Sequence, residues 1–192
     1  PEEVFIYTKS IGKQAEMHAD ATVYNRETSP QTFQVEWTVL NREKKVIATQ
    51  KSANTTFAPN EKITVKSVLN IPNAQLWDTE HPYLYTLTTK IISNGKTTDL
   101  IHTRFGVRTF SYQPDGFYLN GKKMKIKGVC IHQDHAGVGT ALLDELQYYR
   151  IGLLKAMGAN AYRTAHHPHS PVVLQACDSL GLLVMDETRL LN

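Results

Sequence analysis

Residues 158–187 read GANAYRTAHHPHSPVVLQACDSLGLLVMDE, and their punctuation decides the fold of this half of the chain. Gly158 is a helix stop, because glycine alone enters the left-handed region without penalty. A short strand is expected over 160–164, followed by a loop rich in His and Pro. Ser170-Pro171 reads as an N-cap with proline at the first helical position, where its missing N–H costs nothing. The helix it opens runs to about Leu180, and Gly181 ends it. Residues 182–185 are wholly apolar and form a strand that closes on Asp186-Glu187.

Upstream the same rhythm holds. Residues 142–157 carry Leu146, Tyr149, Ile151, Leu153 and Leu154, a broad apolar helical face. Before them stands an apolar strand over 124–131, entered through a hairpin whose Asn120-Gly121 pair suits a type I′ turn. The pattern β, α, β, α, β, with each strand expected to be buried on both faces, is that of a parallel sheet. An α/β barrel needs about 250 residues and eight strands. Residues 112–192 supply three strands, so a barrel would here be less than half built. A doubly wound sheet is the alternative, although the loop after the first strand is His132 to Gly139 and holds no G-x-G-x-x-G cradle.

Residues 1–110 differ in kind. Period-two alternation recurs in Met17, Ala19, Ala21, Val23, in Phe33, Val35, Trp37, Val39, and in Tyr85, Leu87, Thr89, Ile91. Threonine numbers 15 in the first 100 residues and three after residue 110, a β-branched bias in the same direction. Six to eight short strands are expected, in a sandwich of immunoglobulin-like architecture without the Cys, Trp, Cys framework of antibody domains.

The 192 residues carry a net charge of +3, with 21 basic side chains scattered among 18 acidic ones, which speaks against nucleic-acid binding. No apolar run approaches the roughly 18 to 20 residues of a membrane span. Cys130 and Cys177 have no metal spacing and read as free, buried thiols. The start at Pro1, with neither an initiator Met nor a signal pattern, reads as that of an excised piece, and the compartment is left open.

Five of the eight histidines lie between residues 132 and 169, in the loops that follow parallel strands. Ligands bind at that end of parallel α/β sheets, because loops and helix N-termini converge there. His132, Arg163 with His166, and Asp186 with Glu187 are expected to form a polar rim. His132 and Asp134 also fit a structural hydrogen-bonded pair, and His135 and His169 are expected in solvent. Arg163 at an inner strand end needs a carboxylate partner, for which Asp186-Glu187 is available. His132, Asp134, His135, His166, His167 and His169 are metal-ligand types, but a fourth ligand is not visible and no metal is expected.

The stretch 158–171, continued through Cys177 to Glu187, closely resembles the first signature of the family 2 glycoside hydrolases, the β-galactosidases, β-glucuronidases and β-mannosidases. Leu76-Trp77, Pro82 to Tyr85 and Phe105 to Arg108 resemble the closing strands of that family's immunoglobulin-like domain. Phe117 to Lys122 and Lys127 to His135 resemble its barrel entrance. The resemblance implies a mixed fold, with an all-β immunoglobulin-like sandwich over 1–109 followed by the first three β/α units of an incomplete TIM barrel over 110–192. It implies a fragment of a retaining exo-β-glycosidase acting on carbohydrate, closest to the β-galactosidases. His132, Asp134, Arg163 and His166 would line the sugar subsite, with Arg163 also orienting the nucleophilic carboxylate. Both catalytic Glu residues would lie on later barrel strands, Glu187 being structural, so the fragment itself should be inactive. Some members bind magnesium through a Glu shortly after this Asp-Glu; Leu191 stands near that position, and no cofactor is expected. An open sheet edge is a place for a second copy to pair, so a homo-oligomer is also expected. The competing readings are a carbohydrate-binding or adhesive sandwich, for which Trp37 and Trp77 are candidate aromatic platforms although the alternation around Trp37 reads as core, and a metal-dependent hydrolase barrel.

Overall fold

A computed structural model describes residues 3–188. Its contacts gather into two compact units, one comprising the chain up to Gln75 with Leu84–Thr109, the other Leu76–Tyr83 with the chain from Phe110 onward.

The first unit is the β-sandwich. Its strands are β1 (Glu3–Ile11), β2 (Gln14–Tyr24), β3 (Gln31–Leu40), β4 (Val46–Lys51), β5 (Thr55–Phe57), β6 (Lys62–Pro72), β7 (Tyr85–Ser93) and β8 (Lys96–Phe105). One antiparallel sheet has the order β1-β2-β6 and the other β4-β3-β7-β8, with β5 pairing β3. Alternation does what a two-faced sheet requires: Ala15, Met17, Ala19, Ala21 and Val23 of β2, and Phe33, Val35, Trp37 and Val39 of β3, are all buried. Each large apolar side chain so placed contributes about 1.5–3 kcal/mol. Trp37 and Trp77 are 0% and 1% exposed, so neither can serve as the binding platform that the adhesive reading needed.

On the other face of β3, Glu36 stands in register between Lys51 of β4 and Lys90 of β7. Its carboxylate lies 2.8 Å from the first ammonium and 3.4 Å from the second. The Lys51 hydrogen bond, helped by Lys90 against the cost of burial, holds the Glu36 carboxyl below its usual range.

In the second unit β9 (Phe110–Gln113), β10 (Gly116–Leu119) and β11 (Lys122–Met124) form a meander. Its Asn120-Gly121 turn has φ of 51° and 74°, the two positive values a type I′ turn demands. Then follow β12 (Gly128–Ile131), α1 (Asp144–Ala156), β13 (Ala161–Thr164), α2 (Pro171–Leu180) and β14 (Leu183–Met185). The last three strands pair in parallel, in the order β12-β13-β14. These are the opening strands of a TIM barrel, three of them and unclosed.

Several expectations need correction. The apolar run over 124–131 is two strands with a break between them. The Asn160 side chain satisfies the backbone at that break, donating to the Lys125 carbonyl at 2.9 Å and accepting from the Lys127 N–H at 2.7 Å. Burial on both faces holds for little beyond β13, since β12 and β14 carry only exposed and half-buried residues. The helical face expected for α1 is only half used. Ile151 is buried and Leu154 packs on the core, whereas Tyr149 and Leu153 stand in solvent. Ser170 occupies the N-cap of α2 but makes no side-chain capping bond.

Leu76–Tyr83, expected among the closing strands of the sandwich, packs with the second unit and forms only a Trp77–Pro82 bridge. Its anchor is Trp77, whose indole N–H donates to the Asp178 carbonyl at 2.8 Å and whose own carbonyl accepts from Asn120 at 3.0 Å. Within the first unit, the Tyr85 hydroxyl accepts the Gln75 N–H at 2.9 Å and so ties the two ends of this excursion together. The excursion also explains Gly181. That residue ends α2 with φ of 79°, and a Cβ there would collide with the Thr79 carbonyl.

Gly181→Ala should destabilise the second unit by about 2 kcal/mol or more. Gly158→Ala, at φ of 92° with open space around it, should cost only about 1 kcal/mol. Urea unfolding followed by far-ultraviolet circular dichroism reads both, and equal effects would refute the collision. Glu36→Gln should lower sandwich stability at pH 7 by about 1 kcal/mol. A carboxyl whose folded pKa is depressed stabilises above its unfolded pKa and loses that contribution as pH falls through the folded value. The wild-type advantage should therefore disappear in acid, and a difference that persists at pH 2 would exclude the lysine clamp.

Candidate active site

Neighbours along a strand face opposite ways, and β13 uses this to separate structure from chemistry. Tyr162 joins Ile151, Val173, Ala176, Cys177 and Leu182 in the core beneath the two helices. Arg163 takes the opposite face, registered between Cys130 of β12 and Met185 of β14. In a β/α barrel the helices lie outside, so the face they leave uncovered is the interior.

At the C-terminal ends of the three strands the side chains converge. Arg163 forms an ion pair with Glu187 and also donates to Cys130 Sγ at 3.2 Å. The thiol contact first, and the carboxylate with it, raise the Arg163 pKa, so the guanidinium is a permanent charge. The second carboxylate oxygen of Glu187 lies 3.6 Å from His166 Nδ1. The His166 and His132 rings meet edge to face with centroids 5.3 Å apart. Glu187 is itself placed by backbone: its N–H donates to Thr164 Oγ1 at 2.8 Å, and that hydroxyl donates onward to Asp186 at 2.9 Å. His132 is placed by Arg150 of α1, which donates to its carbonyl at 3.0 Å.

The structure thus brings together His132, Arg163 and His166, with Glu187 as the carboxylate that Arg163 required. Asp134 is exposed just before the loop closed by the His135–Gly139 bridge, and no bond ties it to the other three among the described residues. Nor do three His, Cys, Asp or Glu side chains gather there in a metal-ligating group among those residues. Leu191 lies outside the described residues. Cys130 is exposed rather than buried; Cys177 is buried, which pushes its thiol up to about 12.

His169 corrects a further expectation. It is 6% exposed, not solvated, with Nδ1 2.8 Å from the Tyr162 hydroxyl and Nε2 3.4 Å from the Ala165 carbonyl. The sequence reading also missed Thr164, Cys130 and Arg150. Strand alternation could have placed Cys130 beside Arg163, since both strands run in parallel, but no local signal marks a threonine as the bracket of a distant carboxylate.

Residues 2–108 match the profile of glycosyl hydrolases family 2, and residues 111–192 match that of the family's TIM barrel domain. A β-galactosidase of Bacteroides ovatus is 35% identical over 185 residues, covering 95% of this chain and 22% of that protein. Among solved structures, a family 2 member from Bacteroides cellulosilyticus superposes with a TM-score of 0.92 at 34% identity, over 96% of this chain and 26% of the other. A Bacteroides uniformis β-glucuronidase gives 0.88 at 30% identity, over 96% and 23%. The chain therefore spans about a quarter of the length of these relatives. With a sandwich and a parallel β/α segment matched in order along its length, the chain belongs to glycosyl hydrolases family 2.

Proposed function

We propose that this chain is part of a retaining exo-β-glycosidase, and that the stretch from residue 110 onward contributes one wall of its sugar site. The observation that carries the proposal is the convergence of His132, Arg163 and His166 at the C-terminal ends of three parallel strands in a family 2 chain. Residues 1–109 form the supporting domain in this reading, and 110–192 the entrance to the catalytic one.

Each group has a task suited to its chemistry. The imidazoles of His132 and His166 are exposed and close, able to hydrogen-bond adjacent hydroxyls of one sugar ring. Arg163 supplies a fixed positive charge toward the barrel interior, where it holds a nucleophilic carboxylate ionised by charge pairing. Asp134, exposed two residues after His132, is assigned to the same rim. Retention needs two carboxyl groups about 5–5.5 Å apart, one as acid/base and one as nucleophile. Both are assigned to other strands of the barrel, so the 192-residue chain alone is inactive. The sugar is assigned as a β-galactoside, a reading supported by the likeness to the β-galactosidase of Bacteroides ovatus. The open edges of the β12-β13-β14 sheet further support self-association of the isolated chain, which sedimentation over a range of concentrations would register.

The test uses the full-length polypeptide and an aryl β-galactoside. Hydrolysis should proceed with retention, read from the anomeric proton of the first-formed sugar. His166→Ala should lower kcat/KM about tenfold or more without unfolding the protein, the loss of one substrate hydrogen bond strengthened in the transition state. The isolated 192-residue chain should be silent. Inversion, or turnover confined to aryl β-glucuronides, would overturn respectively the mechanism and the sugar; turnover by the isolated chain that Glu187→Gln abolishes would move Glu187 into the chemistry.

A further inference from the structure

We propose that His169 is a positioning residue, whose imidazole, locked between Tyr162 and the Ala165 carbonyl, orients the peptide that presents His166. The inference rests on the assignment of His166 to the sugar site made above.

Three histidines fall within the four residues 166–169, and the chain sends them different ways: His166 is exposed, His167 is half-buried with its ring 5.5 Å from that of His169, and His169 is buried. The two nitrogens of the buried ring have distinct jobs. A carbonyl oxygen only accepts, so Nε2, 3.4 Å from Ala165 O, carries the ring proton. Nδ1, 2.8 Å from the Tyr162 oxygen, then accepts the phenolic O–H of a neutral imidazole. Both partners favour this arrangement. Burial pulls the His169 pKa down and outweighs the Ala165 hydrogen bond, which raises it; His167 and Arg150 act with burial, and Asp186 against it. Burial likewise pushes Tyr162 up to about 12.

Geometry makes the link to His166 direct. Tyr162 is fixed on β13 within the helix-covered core. The carbonyl that His169 holds belongs to the peptide unit joining Ala165 to His166, so its direction sets where the His166 Cα and ring emerge. The Ala165 N–H is already held by Ile131 O at 3.1 Å, which leaves the carbonyl side as the degree of freedom that His169 removes. A chain of contacts therefore runs from the rigid strand through phenol and imidazole to the exposed histidine that meets the sugar.

The experiment is a double-mutant cycle in the full-length enzyme, with His169→Leu, Tyr162→Phe, His166→Ala and the combination of His169→Leu with His166→Ala. His169→Leu should lower kcat/KM for the aryl β-galactoside about tenfold, and Tyr162→Phe about threefold, as expected when a contact group drifts by a fraction of an ångström. In the His166→Ala background the His169→Leu loss should shrink below about twofold, although its effect on the melting temperature stays the same. An equal loss in both backgrounds, or full activity of His169→Leu, overturns the proposal. Tyr162→Phe, which removes one hydroxyl, keeps the test open if the leucine variant does not fold. Nitrogen-15 shifts of the His169 ring provide a readout independent of turnover: protonated Nε2 and an accepting Nδ1 at pH 7 are expected, and the opposite tautomer overturns the arrangement. Should no aryl glycoside be hydrolysed, the glycosidase reading fails by itself. Hydrogen exchange at the His166 amide then decides the positioning role, faster exchange in the leucine variant supporting it and unchanged exchange refuting it.

Discussion

The two-residue repeat of a pleated strand is the constraint on which the site depends. Because Tyr162 is committed to the helix-covered core, Arg163 has no choice of face, and the uncovered side of the sheet receives a guanidinium. A charge placed there must be matched, and the matching carboxylate comes from the end of the next parallel strand, where Glu187 stands. The rim is thus a consequence of strand pleating and strand order. A one-residue slip of β13 would exchange Tyr162 with Arg163, burying a cation under two helices while exposing a phenol.

Much of this was legible in the residues. Alternation exposed the sandwich strands, Gly158 and Gly181 bounded the helices, and the placement of His132, Arg163 and His166 after apolar strands pointed to their convergence. What failed shares a physical cause. The split of the 124–131 run, the excursion of Leu76–Tyr83 and the burial of His169 are all settled by partners far away in sequence: Asn160 for the first, Asp178 and Asn120 for the second, Tyr162 and a backbone carbonyl for the third. Periodicity reports which face of an element is apolar. It says nothing of a polar group that finds a single distant partner, and a histidine beside proline reads as solvated unless the phenol waiting for it is known. Tyr149 and Leu153 erred in the opposite direction, since an apolar stripe on α1 records what the helix can bury rather than what covers it.

The contrasting surroundings of the two cysteines have a use in following how the second unit holds together. Cys130 is open to solvent, whereas Cys177 has no exposure and a thiol pushed up to about 12, which leaves almost no thiolate at neutral pH. A maleimide or disulfide reagent meets one reactive sulfur in the native protein and two when α2 detaches. The rate at which the second sulfur becomes modifiable is then a clock for opening of the helix-covered core, independent of the sandwich, which contains no cysteine at all.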